Sequence, residues 1–83
     1  MDANTIKKAI ERYVTDVLPY KSWTIGITND PKRRRKEHNN PSVWYHWKAD
    51  SEKIAREVET HFLEKEMKGG GGGGENPTHV YIF

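Results

Sequence analysis

Cysteine is absent from this chain of 83 residues, so neither a disulfide framework nor a thiolate zinc site is open to it. Long apolar runs are missing too. None approaches the roughly 20 residues that a membrane helix needs, and no charged-then-apolar leader opens the sequence. These absences predict a cytoplasmic protein with no membrane partner. Hydrophobic residues are scarce at 34%, yet three Trp, four Tyr and two Phe supply bulky core material. The length allows a single domain, residues 1–83. A chain of this size buries only about 60% of its unfolded surface, so its core must be dense.

Charge is nearly balanced at a net +2, but it is unevenly spread. Residues 32–36 read Lys-Arg-Arg-Arg-Lys, whereas residues 50–66 carry six of the twelve acids. Such a cationic run fits a phosphate-facing patch, a solvated helix face or a nuclear localisation signal. The histidines His38, His46, His61 and His79 lack any compact metal-ligand spacing. The glycine run at 69–74 has no Lys-Ser/Thr after it, so it is no phosphate-binding P-loop.

Residues 4–18 show a helical period, with Ile6, Ala9, Ile10, Tyr13, Val14, Val17 and Leu18 on one stripe, Asn4 as cap and Pro19 as stop. Residues 22–28 are β-branched and aromatic, as a strand requires. Asn29-Asp30-Pro31 is a cap followed by proline at the first helical position, which starts a second helix over about 31–38. That helix is almost wholly polar, so something other than an apolar face must hold it. A second strand is expected over 43–49, then a third helix capped by Asp50-Ser51 and running over about 52–67. The glycine run ends it and reads as a flexible connector, and residues 79–83 close the chain as a third strand. The expected fold is α+β: a small three-stranded sheet flanked by three helices in the order α-β-α-β-α-β.

Two segments carry a family resemblance. Thr24-Ile25-Gly26 is followed by Ile27-Thr28-Asn29-Asp30, then a helix with Arg34 eight positions after the glycine and His38 one turn further. On the third helix, Ala55 is followed four residues later by Glu59. Residues 22–67 thereby resemble the GIY-YIG nuclease superfamily. Spacing adds a separate point for Glu59. At about 100° per residue it lies within the apolar arc of Ile54, Ala55, Val58, Phe62 and Leu63, where a carboxylate needs a partner or a metal. Glu52, Glu57 and Glu64 fall outside that arc, and Glu66 is the rival.

The resemblance implies a metal-dependent endonuclease that hydrolyses nucleic-acid phosphodiesters, DNA being the expected partner. Glu59 would hold Mg²⁺ or Mn²⁺, and Arg34 would hold the phosphate through paired N–H donors. Lys32, Arg33, Arg35 and Lys36 would contact the flanking backbone, and His38 would serve as general base or phosphate ligand. An ion pair between helices is the bland alternative for Arg34 and Glu59, and a helix-end cap is that for His38. The family's first tyrosine strand is missing before residue 22, and Thr24 stands where the second motif has tyrosine. Pairing of residues 80–83 beside residues 22–28 would restore that strand in a circularly permuted arrangement, with Tyr81 as stand-in for one tyrosine. Tyr20 and Tyr45 are weaker candidates. Trp44, Tyr45 and Trp47 either stack bases or pack by strand alternation. Rival functions are a catalytically inactive nucleic-acid-binding domain and a small protein-interaction module.

Overall fold

The computed structural model describes residues 1–71 and 74–83. Three helices, α1 (Ala3–Glu11), α2 (Pro31–Glu37) and α3 (Glu52–Glu64), accompany four strands. The strands are β1 (Thr24–Thr28), β2 (Tyr45–Lys48), β3 (Lys68–Gly69) and β4 (His79–Ile82). They form one mixed sheet in the order β2-β4-β1-β3. The α+β class therefore holds, while the three-stranded count is corrected to four. No helix of the described residues is long and apolar enough to cross a membrane.

The core lies between one face of the sheet and the helices α1 and α3. Ile6 and Ile10 from α1, Val58 and Phe62 from α3, and Ile25, Ile27, Val80 and Ile82 from the sheet are buried together. Each such side chain contributes about 1.5–3 kcal/mol through burial. Strand alternation then sends Gly26 and Tyr81, paired across β1 and β4, to the opposite face. That face is covered by α2.

Asp2, not Asn4, caps α1 by accepting the N–H of Thr5, and the helix ends seven residues earlier than its apolar stripe suggests. Tyr13 leaves the helical path and stacks on Tyr45 at 4.0 Å, an aromatic contact that outweighs one more helical turn. The Thr15 hydroxyl then closes a turn by accepting the Leu18 N–H, and Pro19 forces the residue before it out of the helical region. Val17 and Leu18 are left exposed, at 86% and 49%.

The helix α2 begins as its sequence requires, with Asp30 accepting the Arg33 N–H and Pro31 in the first turn. The buried Thr28 hydroxyl bonds both backbone polar groups of Asp30 and pins that start. No residue of α2 is buried, and polar bonds fix it instead. The third helix stops at Glu64 rather than near residue 67, because Glu66 takes a left-handed conformation (φ 81°) and turns the chain back. The first glycines of the run then pair with β1: Lys68 N–H donates to Trp23 O and Gly70 N–H to Ile25 O. The run therefore starts as a sheet edge rather than as slack; its residues 72–73 lie outside the described part.

Candidate active site

The site is built around Tyr81. Its strand lies antiparallel to β1, in register Ile25↔Ile82 and Gly26↔Tyr81, so the terminal strand does occupy the place beside residues 22–28. The Tyr81 ring crosses β1 above Gly26 and ends near Gly70 at the β3 edge. A Cβ on Gly26 would collide with the Tyr81 hydroxyl, and so would one on Gly70. Only glycine lets the phenol lie flat there. Gly26→Ala is expected to cost about 1–3 kcal/mol of stability by overpacking, read as a lower midpoint in urea. An unchanged midpoint would mean that the ring has another resting place.

Arg34 of α2 and His38, the residue that caps the C-terminus of that helix, meet the phenol. Arg34 Nε–H donates to the Tyr81 hydroxyl at 3.3 Å, and His38 Nε2 lies 3.0 Å from it. With the guanidinium donating, the hydroxyl's own hydrogen is left to His38, which accepts it as the neutral imidazole. Burial, with Arg34 nearby, lowers the His38 pKa and favours that neutral form. Burial raises the Tyr81 pKa, with Arg34 opposing, so the group stays a phenol near neutral pH. The side chain is wholly buried, at 0% exposure. Tyr81 thus positions Arg34 and His38; in this arrangement its hydroxyl is closed to water.

Arg34 is held further. Its Nη2 donates to the carbonyls of Gly70 and Gly71, both at 2.7 Å, and Nη1 bonds Glu37 at 3.0 Å. Four bonds thus engage the guanidinium's five N–H donors, leaving one on the exposed Nη1 side. Bonds to Tyr81 and Glu37 stabilise the cation. The carboxylate of Glu37 is half exposed, so an incoming anion can compete for Nη1.

Glu59 is partly buried on α3, beside Ala55 and Val58. Desolvation raises its pKa, with the Arg56 charge opposing. No hydrogen bond or ion pair joins it to another described residue, so the expected alternative of a bridge to Arg34 is not made; Arg34 pairs with Glu37 of its own helix. Glu59 is near enough for its charge to act on the Tyr81 phenol, the group that Arg34 touches. The rival Glu66 has left the helix and sits 3.8 Å from Lys21 on the surface.

The remaining cations divide. Lys32, Arg33 and Lys36 are exposed, with Arg33 bonding Asn29. Arg35 folds back onto the carbonyl of Pro41. Tyr45 and Trp47 pack with Tyr13 on the core side, and Tyr20 packs on Phe62. Trp44 lies on the other face, stacked on Tyr81 and Phe83. Sequence reasoning missed Glu37, Gly70 and Gly71 as partners of Arg34. Spacing i, i+3 gave a signal for Glu37; nothing local announces a glycine carbonyl as an acceptor. Among the described residues no group of three or more His, Asp or Glu side chains assembles into a metal cage. Searched against protein-family models, curated proteins and solved structures, the chain matches none.

Proposed function

We propose that this chain is a metal-dependent phosphodiester hydrolase of the GIY-YIG type, circularly permuted, acting on nucleic acid and most simply on DNA. One observation carries the reading. Arg34 and His38 meet at the Tyr81 hydroxyl, and Glu59, a partly buried carboxylate with no hydrogen bond or ion pair among the described residues, adds its charge to the causes that raise the Tyr81 pKa. Arg34, His38 and Tyr81 come from two separate parts of the chain, and packing alone gives no reason for their polar atoms to meet.

Glu59 fits Mg²⁺ or Mn²⁺ as a hard oxygen ligand whose desolvation a cation would offset. Mg²⁺ keeps several waters and is commonly bound by one or two carboxylates, so the absence of a cage among the described residues is no obstacle. When bound, such an ion neutralises charge on the scissile phosphate and the leaving oxygen. Arg34 binds the phosphate through Nη1, displacing Glu37, while Tyr81, Gly70 and Gly71 keep the guanidinium plane fixed so that little reorganisation is needed. His38, neutral with Nε2 accepting from the phenol and its hydrogen on Nδ1, can take a proton from an attacking water at Nε2 only where the water displaces that hydrogen bond. Lys32, Arg33 and Lys36 meet flanking phosphates, which fixes register without reading sequence.

A second reading, binding without cleavage, draws on the complete burial of Tyr81 and the near-saturation of Arg34. Nicking of supercoiled plasmid with Mg²⁺ or Mn²⁺ separates the two. Wild-type protein is expected to nick and Glu59→Ala to lose about 10²–10³ in rate. Salt-sensitive binding with no nicking by either protein would select the second reading.

A further inference from the structure

We infer that the cleft between α2 and the start of β2 receives an unpaired nucleobase, so that the strand this domain engages is single-stranded or locally melted. The inference deepens the proposed function and rests on its premise that the chain binds nucleic acid. The cleft is open, holds about 290 Å³ and is bounded by Pro31, Lys32, Arg35, Trp44 and His46.

Its aromatic wall is rigidly placed. The Trp44 ring stacks on Tyr81 at 4.6 Å and 13°, and on Phe83 at 5.6 Å and 18°. Tyr81 and Phe83 are two residues apart on one strand face and nearly parallel, at 14°. They therefore support the indole from one side and leave its other side uncovered by either. In the ring plane, Trp44 Nε1–H donates to His46 Nδ1 at 3.2 Å. An indole held this way offers a stacking surface at little further entropic cost.

The side-chain polar groups that line the cleft and are not already spent are donors. With Nδ1 accepting from Trp44, the neutral His46 ring carries its hydrogen on Nε2. Arg35 spends Nε and Nη2 on the Pro41 carbonyl, so both Nη1 hydrogens are unspent. Lys32 is an exposed ammonium. A planar aromatic wall flanked by side-chain donors and cations complements a ring with acceptor edges on an anionic backbone. An acidic peptide would satisfy the cations but has no use for the indole. A base inside a duplex has both faces covered by its neighbours, so only an unpaired one can stack here.

The test reads binding, in metal-free buffer, by fluorescence anisotropy of a short labelled single strand and of its duplex. Alongside them runs a series in which one abasic position is moved along the strand. Wild-type protein is expected to prefer the single strand and to lose about tenfold in affinity when one particular base is missing. Trp44→Leu should lose a similar factor and become indifferent to the abasic position, whereas Trp44→Phe retains most of the binding. Equal affinity for the duplex, a flat abasic series, or equally tight binding of poly-glutamate would overturn the inference. The abasic series uses wild-type protein, so it decides even if Trp44→Leu fails to fold. Cleavage is read separately with Mg²⁺. A strand bound through Trp44 yet never cut upholds this inference and sinks the nuclease; a strand that is cut but gives a flat series does the reverse.

Discussion

Replacing Arg34 by lysine is expected to leave a folded protein that cuts about 10²–10³ more slowly. The charge is kept, but the geometry is not. A single ammonium cannot bond the Tyr81 hydroxyl, the Gly70 and Gly71 carbonyls and an anion at once, because its three donors radiate from one atom. Either the phosphate loses its donor or the glycine carbonyls lose theirs. The variant should bind nucleic acid with nearly the wild-type salt dependence, since the number of cations is the same. The loss therefore falls on the rate of cleavage and not on affinity. A wild-type rate in Arg34→Lys would show that only charge matters at this position, and the guanidinium's role in the site would have to be abandoned.

The second large effect runs against intuition: Glu59→Gln is expected to stabilise the protein at neutral pH while slowing cleavage about 10²–10³-fold. Desolvation raises the Glu59 pKa above its ordinary value of 4.5, so the folded state resists the carboxylate's charge. In the window from 4.5 up to the raised value, the folded chain binds more protons than the unfolded one, and stability falls as pH rises. Above that window the full penalty is present. The glutamine variant escapes it, so its melting temperature should exceed wild type by a few degrees near pH 7, with the gap closing once pH falls below 4.5. Added Mg²⁺ should raise the wild-type melting temperature logarithmically once its concentration exceeds the dissociation constant, and leave Glu59→Gln unmoved. Equal melting temperatures at neutral pH, or an equal Mg²⁺ response in both proteins, would mean that Glu59 is an ordinary solvated acid.

Local chemistry was legible in the sequence, and non-local partnership was not, the pairing of the terminal strand beside β1 excepted. The start of α2 could be read from Asp30-Pro31 because a cap and an N-terminal proline act within one turn. The cap of α3 at Ser51 was legible for the same reason. The end of α1 was not, because Tyr13 is drawn away by Tyr45, a residue distant in sequence. The fourth strand was hidden for a different reason: Lys68 and Gly69 have no strand propensity and pair only because β1 presents a free edge. In the site, helical spacing placed Arg34 and His38 on one face, and the structure brings both to Tyr81. The proposed pairing of the terminal strand beside β1 is present in the register Gly26↔Tyr81. What spacing could not supply was the state of those groups. The phenol is sealed beneath Trp44, the guanidinium is tied to glycine carbonyls, and Glu59 is left without a partner among the described residues.

The polar character of α2 follows from the same geometry. A helix held by an apolar face would bury its side chains against the sheet. Here it is the polar atoms of Arg34, Arg35, His38 and Asp30 that fix it, and all of them lie at or beside the cationic run. Scaffold and site are built from the same residues, so substitutions in α2 should affect stability and activity together.

Paramagnetic broadening of assigned amide and Arg34 Nε–H signals by Mn²⁺ probes most directly whether a cation and the guanidinium share one cleft. Broadening centred on Glu59, extending to Gly70 and to the Arg34 side chain, and lost in Glu59→Gln, is the predicted result. Broadening centred on Glu64 or Glu66, or spread evenly over the acidic residues and unchanged in Glu59→Gln, would contradict it.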